Sequence, residues 1–261
     1  MYFNLKLKCY KAYNNSLRFT QLVDKSVLTN IKIKKLIKRQ KFFGGRNSFG
    51  RLVNFRQGGL KYRKKYFQLT NRLLPGLNII ISLNNDSIRS GIVCAVWHLQ
   101  SKTFAYILGS SNITVGNIVR YYENRGPLFI GHQYLVKYFP MGMPLFNINN
   151  KYIKAAGTFG IIRQYDNRYV YVLCPSGQLI KILINNSTVF FGNVSNAKHK
   201  FQIIGKAGRN RNKGIRPTVR GIAMNPVDHP HGGRTNGGKI PVTPWGKPTR
   251  GVKTRKKKIN I

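Results

Sequence analysis

The residues best suited to chemistry are Asp228, His229 and His231, which surround Pro230 in the string MNPVDHPHGG from Met224 to Gly233. A carboxylate beside an imidazole is the material of acid–base catalysis. Two histidines this close could begin a metal site. Neither arrangement completes itself. In an extended chain adjacent side chains project to opposite sides, and no cysteine or further histidine lies nearby to add ligands. Cys9, Cys94 and Cys174 are far apart and make no Cys-x-x-Cys pair, so small buried thiols in a reducing compartment are expected, not a zinc centre. The five carboxylates, Asp24, Asp86, Glu123, Asp166 and Asp228, offer little to paired-carboxylate hydrolysis. No phosphate-binding glycine loop or nucleophile elbow is present. The sequence thus predicts no enzyme, no metal site and no resident cofactor. Local hydrogen bonding and contact with a bound partner are the expected roles of His229 and His231.

The charge balance points to a polyanion. Against those five acids stand 46 Lys and Arg, a net charge of +41 over 261 residues. So few carboxylates cannot neutralise the cations, and the compensating anions must come from a partner. A membrane would call for a basic amphipathic helix or an apolar span of about 20 residues. The best apolar runs, Leu77 to Leu83 and Gly91 to Leu99, are short and strand-like. Nucleic acid is the expected partner, and no membrane is expected.

The candidate contacts fall in two stretches. Arg46, Arg51, Arg56, Lys61 and Arg63 precede Lys64 and Lys65, with Phe42, Phe43, Phe49, Phe55, Tyr62 and Tyr66 interleaved. Cations bind phosphates while aromatic faces can stack on unpaired bases. For any one of these rings, barrel core is the commoner fate. In the second stretch, Arg209, Arg211, Arg216, Arg220, Arg234, Arg250 and Arg255 offer planar, two-pronged phosphate recognition. Lys206, Lys247 and Lys253 add point charges, and Asn225 and Trp245 complete the candidate set. Glycine pairs such as Gly232-Gly233 let backbone approach RNA without a Cβ.

The elements that must carry these groups are β. Residues 1 to about 40 are a basic lead-in, either a solvated arm or one ordered against RNA. Strands are predicted at Arg51 to Arg56, Tyr62 to Leu69, Leu77 to Leu83, Gly91 to Leu99, Thr103 to Leu108 and Ile118 to Tyr122. Turn-formers such as Pro75-Gly76 and Asn84-Asn85-Asp86 separate them. A second block of about five strands includes Gly157 to Gln164, Tyr169 to Cys174, Gln178 to Ile184 and Thr188 to Phe191. From Lys206 onward the repeated Gly and Pro forbid long helix or central strand, and Trp245 is the only aromatic. This tail cannot bury enough apolar surface to fold alone, and is expected to be extended and ordered on RNA.

The tail strings carry a specific resemblance. RPTVRG at Arg216 to Gly221, MNPVDHPHGG, and IPVTPWGK at Ile240 to Lys247 are similar to the universal large-subunit ribosomal protein family called L-two. Weaker similarity runs back to Gly45-Arg46-Asn47. The resemblance implies an all-β chain: an OB-fold barrel at 41–125, an SH3-like barrel at 126–204 and an extended basic tail at 205–261, after an N-terminal extension at 1–40. It implies binding to large-subunit rRNA beside neighbouring ribosomal proteins, with small-subunit contact across the intersubunit face. It also implies roles in assembly and subunit association, with His229 supporting RNA geometry near the peptidyl-transferase region. Mg2+ shared with rRNA phosphates is the one ion that fits. The sequence departs from the family at Arg234-Thr235-Asn236 and at Gln57-Gly58-Gly59-Leu60. Such divergence, with a Lys-, Asn- and Ile-rich composition suited to an AT-rich gene, points to an organellar ribosome, mitochondrial in preference to plastid. A free RNA chaperone and an enzyme using His229 are the competing classes.

Overall fold

A computed structural model describes residues 5–59, 65–233 and 238–251. The chain divides into two compact units: Met1–Phe42 with Lys61–Arg209, and Phe43–Leu60 with Asn210–Ile261. Among its described residues the first unit holds fifteen short strands, β1 (Leu7–Cys9), β2 (Gln21–Val23), β3 (Ile37–Arg39), β4 (Lys65–Phe67), β5 (Asn78–Asn85), β6 (Ile92–His98), β7 (Thr103–Leu108), β8 (Ile118–Val119), β9 (Tyr121–Tyr122), β10 (Gln133–Leu135), β11 (Pro144–Phe146), β12 (Gly160–Tyr165), β13 (Tyr169–Leu173), β14 (Leu179–Leu183) and β15 (Thr188–Phe191). The architecture is all-β, an OB-type barrel followed by an SH3-like barrel. The one α-helix among the described residues, α1 (Ala207–Asn212), is short.

The first barrel is built on the antiparallel sheet β7-β6-β5-β8. β6 explains why its sequence reads as an unbroken apolar run: both of its faces are covered. Ile92, Cys94 and Val96 join a core with Ile80, Leu83, Ile107 and Val119. Val93 and Ala95 pack on the other side with Phe67 and Tyr106. Each such fully buried aliphatic side chain contributes roughly 1.5–3 kcal/mol. A bulge at Ile80/Ser82 re-aims the end of β5 against β6.

The N-terminal segment is not a free arm. Its apolar Ile33, Leu36 and Ile37 cover the second face of β6, while Lys32, Lys34, Lys35 and Lys38 stay exposed. The Tyr106 hydroxyl accepts the Ile33 N–H at 2.9 Å, and β3 pairs with β4. Leu5, Val23 and Leu28 enter the main core of the barrel. The alternation of Ile and Lys thus marks an edge layer, with the apolar half of the pattern turned inward.

The predicted strand Ile118 to Tyr122 is two strands serving two sheets. β8 pairs with β5, whereas β9 runs parallel to β10. β9 ends a seven-stranded sheet in the order β14-β13-β12-β11-β15-β10-β9. β10 and β11 had no strong sequence signal, being three residues each. The core of this second barrel includes Tyr134, Val136, Leu145, Ile162, Val170, Val172 and Val189. In β13 the residues Val170 and Val172 point inward, and Tyr169, Tyr171 and Leu173 are only half-buried, the alternation expected of a strand with one core face.

Of the three thiols, Cys94 alone is fully buried; Cys9 is exposed and Cys174 half-buried. The expectation of three buried cysteines therefore holds for one, because Cys9 lies in the two-stranded β1–β2 ribbon that buries little of itself.

Candidate nucleic-acid interface

The second unit joins two distant stretches that share one property. Every charged residue of 43–60 and 210–251 is Lys or Arg, except Asp228. The predicted strand Arg51 to Arg56 is instead a folded loop. The Gly45 carbonyl accepts the Val53 and Asn54 N–H groups at 2.9 and 3.0 Å, which brings the Asn54 backbone so close that a Cβ on Gly45 would lie 2.1 Å from its oxygen. Asn47 Oδ1 accepts the N–H of Phe49 and of Arg51 at 3.1 and 2.9 Å. Asn54 Oδ1 accepts the Arg56 N–H at 3.0 Å. Side-chain amides of Asn thus satisfy backbone donors that a strand ladder would otherwise use.

That loop is tied to the start of the tail. The Arg216 N–H donates to the Arg56 carbonyl at 2.7 Å, and the Gly58 N–H to the Gly214 carbonyl at 3.0 Å. Gln57 and Ile215 form an isolated bridge between them. The backbone is therefore fixed while Arg46, Arg51, Arg56, Arg211, Arg216 and Arg220 extend exposed side chains. Asn225, Trp245, Lys247 and Arg250 are also exposed. In the first unit Lys206 is exposed, and Arg209 is half-buried with one end of its guanidinium engaged. Its Nη1 donates to Thr20 Oγ1 at 3.2 Å and to the Ile204 carbonyl. Lys61, Arg63, Arg234, Lys253 and Arg255 lie outside the described residues, as does the Arg234-Thr235-Asn236 departure.

Internal pairing does little to quench this charge. Among the described residues one salt bridge is present, Arg89 to Asp86 at 2.5 Å, with the carboxylate buried. Asp24 and Asp166 accept neighbouring backbone N–H groups, from Ser26 at 3.0 Å and Asn167 at 2.8 Å.

The histidine pair is a folded turn, not an extended strand. His229 is 7% exposed, and its ring lies against Gly221 so closely that a Cβ there would sit 2.6 Å from Nδ1. The His231 N–H donates to His229 Nδ1 at 3.0 Å, and the two rings are 4.6 Å apart. The expectation of an extended chain here is thus corrected: the backbone turns at Pro226 to His231 and holds the two rings together. Because Nδ1 accepts a backbone proton, a neutral His229 carries its own proton on Nε2. In a triad of the Ser-His-Asp kind the carboxylate holds Nδ1, which the His231 amide occupies here. His231 Nε2 lies 2.9 Å from the Ile240 carbonyl and 3.3 Å from the Val242 N–H, anchoring the loop that follows. No group of three or more metal-binding side chains lies among the described residues.

The loop at 241–249 is closed by its own bonds. The Thr243 N–H donates to the Lys247 carbonyl at 2.8 Å, and the Gly246 N–H to the Thr243 carbonyl at 2.9 Å. The Thr249 N–H and hydroxyl both reach the Pro241 carbonyl, at 2.9 and 3.0 Å. Trp245 stands at its tip, 58% exposed. Proline prevents helix here, yet the backbone is fully specified, so Gly and Pro encode turns.

A family model described as Ribosomal Proteins L2, C-terminal domain, matches residues 130–246. Over 262 residues the chain is 38% identical to the large ribosomal subunit protein uL2 of Wolbachia sp. subsp. Drosophila simulans (strain wRi), spanning 96% of this chain and 94% of that protein. The chain belongs to the uL2 family. It is also 37% identical over 267 residues to uL2 of Orientia tsutsugamushi (strain Ikeda), and 34% identical over 268 residues to uL2 of Aliarcobacter butzleri (strain RM4018). Each of these two alignments spans 98% of this chain and 96% of the relative. Membership in uL2 thus extends over both barrels and the tail.

What sequence reasoning misjudged in this uL2 chain is the aromatic set. Barrel core was the expected place for the rings between Phe42 and Tyr66, but Phe42, Phe43, Phe49 and Phe55 are all exposed. The available signal was the company they keep: glycine and arginine on both sides, with no β-branched neighbours except Val53. The union of residues 43–59 with the tail was also missed. The two stretches share glycine-rich composition with Asp228 as their one acid, which is a weak pointer to a common unit.

Proposed function

We propose that this protein is a structural constituent of the large ribosomal subunit, binding large-subunit rRNA through the phosphate contacts of its second unit. The observation that carries this reading is the loop at 43–59 bonded backbone to backbone with the start of the tail, so that Arg56 and Arg216 leave one fixed strip of chain. Fixed backbone with mobile cationic tips suits an irregular phosphate surface, and each phosphate neutralised releases a counter-ion. The two barrels serve as the rigid body that neighbouring ribosomal proteins and rRNA pack around. The tail supports assembly, subunit association and the geometry of the peptidyl-transferase region, with small-subunit contact across the intersubunit face. His229 acts there by shape and hydrogen bonding, since its Nδ1 is engaged internally. No resident cofactor is needed; Mg2+ enters as the counter-ion that rRNA phosphates share. The AT-leaning composition supports an organellar ribosome, and the departures from the family pattern support a mitochondrial one over a plastid one; the relatives named above are bacterial.

The experiment is sedimentation of tagged chain with ribosomal subunits through a high-salt cushion. An integral constituent stays with the large subunit. Release into the supernatant would mark a peripheral RNA chaperone instead. Fractionation of the source cells, with the tagged chain followed into organellar and cytosolic ribosomes, tests the mitochondrial assignment.

A further inference from the structure

Phe55 and Trp245 lie 190 positions apart in sequence, yet their rings stack with centroids 6.0 Å apart and planes inclined by 30°. Both belong to the second unit. Neither is core: Phe55 is 52% exposed and Trp245 58%. We propose that the two rings form a stacking platform for an unpaired RNA base, a role that rests on the rRNA-binding reading and gives it a specific ligand.

The supports on both sides are rigid. Phe55 sits between Asn54, whose side chain caps the Arg56 N–H, and Arg56, whose carbonyl is bonded to Arg216. Trp245 sits at the tip of the loop closed by Thr243 to Lys247 and by Thr249 to Pro241. Two exposed rings held this way keep little rotational freedom to lose when a third ring joins them. A base inserted between them would need about 6.8 Å of separation, twice the ~3.4 Å stacking repeat of nucleic acid. At 6.0 Å the pair is closed to insertion. The base therefore stacks on an outer face, extending the pair into a three-ring column.

Charge complementarity selects the occupant. Arg56 adjoins Phe55, Lys247 follows Trp245 by two residues, and no acid occurs in 43–59 or 238–251. A nucleotide offers both the flat apolar face and the phosphate that this combination matches. An apolar peptide or a carboxylate ligand would use one half of it and leave the other unmatched.

The test uses the full chain with Trp97→Phe, which leaves Trp245 as the one indole. The probes are a single-stranded adenosine decamer and a decamer of abasic nucleotides with the same phosphates, at one fixed salt concentration. Stacking is expected to quench Trp245 fluorescence with the adenosine decamer and not with the abasic one. Phe55→Leu and Trp245→Leu are each expected to weaken adenosine-decamer binding on the order of tenfold. The salt dependence should keep its slope, because no charge is removed. Phe55→Tyr should restore binding in a way that Leu does not. Circular dichroism of the exposed-ring variants should match the parent. Equal affinity for both decamers, or Leu variants indistinguishable from the parent, would overturn the platform and leave phosphate binding intact. Failure of the parent chain to bind either decamer or large-subunit rRNA would instead contradict the proposed function itself.

Discussion

The side-chain amide of Gln133 accepts the Leu73 N–H and donates to the Asn71 carbonyl, each at 2.8 Å, from a fully buried position. This one side chain pins the loop before β5 to a strand of the second barrel. Around it, Asn150 Nδ2 donates to the Thr70 carbonyl at 2.6 Å and Thr188 Oγ1 to the Asn71 carbonyl at 3.2 Å. The connection between the barrels thus adds directional polar bonds to an apolar seam in which Phe146 and Phe190 join the first barrel's core, and a seam without those bonds would tolerate sliding. Gln133→Leu leaves the buried Leu73 N–H without an acceptor, and should cost about 3 kcal/mol. Urea unfolding would read this as a lower midpoint at unchanged slope. A midpoint equal to the parent's would mean the tie contributes nothing.

Gly221 gives a second test, because its missing Cβ is what lets the His229 ring sit where it does. Gly221→Ala should displace the ring, break the His231 N–H to Nδ1 bond, and destabilise by about 1–3 kcal/mol. Hydrogen exchange at the His231 amide is the direct readout, and protection should fall. Gly208→Ala in α1 is the control: nothing lies within 4 Å of the place its Cβ would take, and Ala stabilises a helix by up to ~1 kcal/mol over Gly.

Stability should decline at both ends of the pH scale. Burial pushes the Cys94 thiol up to about 12, and the Tyr134 and Tyr165 hydroxyls also to about 12. The folded state therefore holds protons that the unfolded chain releases above its ordinary thiol value near 9 and phenol value near 10. Stability is full below pH 9 and falls as pH rises through the window from 9 to 12. Burial also lowers His132 below its ordinary 6.5, aided by Arg120 and opposed by a hydrogen bond to the Ile118 carbonyl. There the unfolded chain takes up the proton first, so the contribution is present above 6.5 and is lost as pH drops below it. Thermal melts across pH 5 to 11 should show both limbs. A thiol reagent at pH 8 should label Cys9 quickly and Cys94 only on unfolding.

Salt dependence separates positional contacts from packing. Arg56→Gln, Lys247→Gln and Arg250→Gln should each reduce the log–log salt slope of rRNA binding by about 0.7–0.9, one released counter-ion per lost phosphate. Arg209→Gln should behave differently. Its guanidinium is bonded to Thr20 and Ile204, so stability should fall while the slope stays unchanged. Equal slopes for all four variants would remove phosphate binding as the role of the exposed set.

Much of the fold could be read directly from sequence where one physical signal dominated. β6 and β7 lie within two residues of the predicted Gly91 to Leu99 and Thr103 to Leu108, because β-branched runs bounded by turn residues have few alternatives. The loop at 51–56 deceived because Leu52, Val53 and Phe55 mimic a strand, while the deciding bonds come from Asn47 and Asn54 side chains and a remote carbonyl at Gly45. The N-terminal segment was misjudged because its Ile and Lys were weighed by composition, and only the far face of β6 reveals what the Ile residues cover. At the candidate interface the exposure of the described basic residues was legible, since a charge without counter-charge is costly to bury. The Phe55–Trp245 pair was not, because no local pattern connects positions so distant.

The most direct measurement is crosslinking of the assembled large subunit, with adducts mapped to peptides by mass spectrometry. The expected result is rRNA adducts concentrated in 43–59 and 210–251, including Arg56, Arg216 and Trp245. Adducts confined to the two barrels, with those stretches joined only to protein or to nothing, would contradict the claim that this acid-poor unit is the chain's hold on RNA.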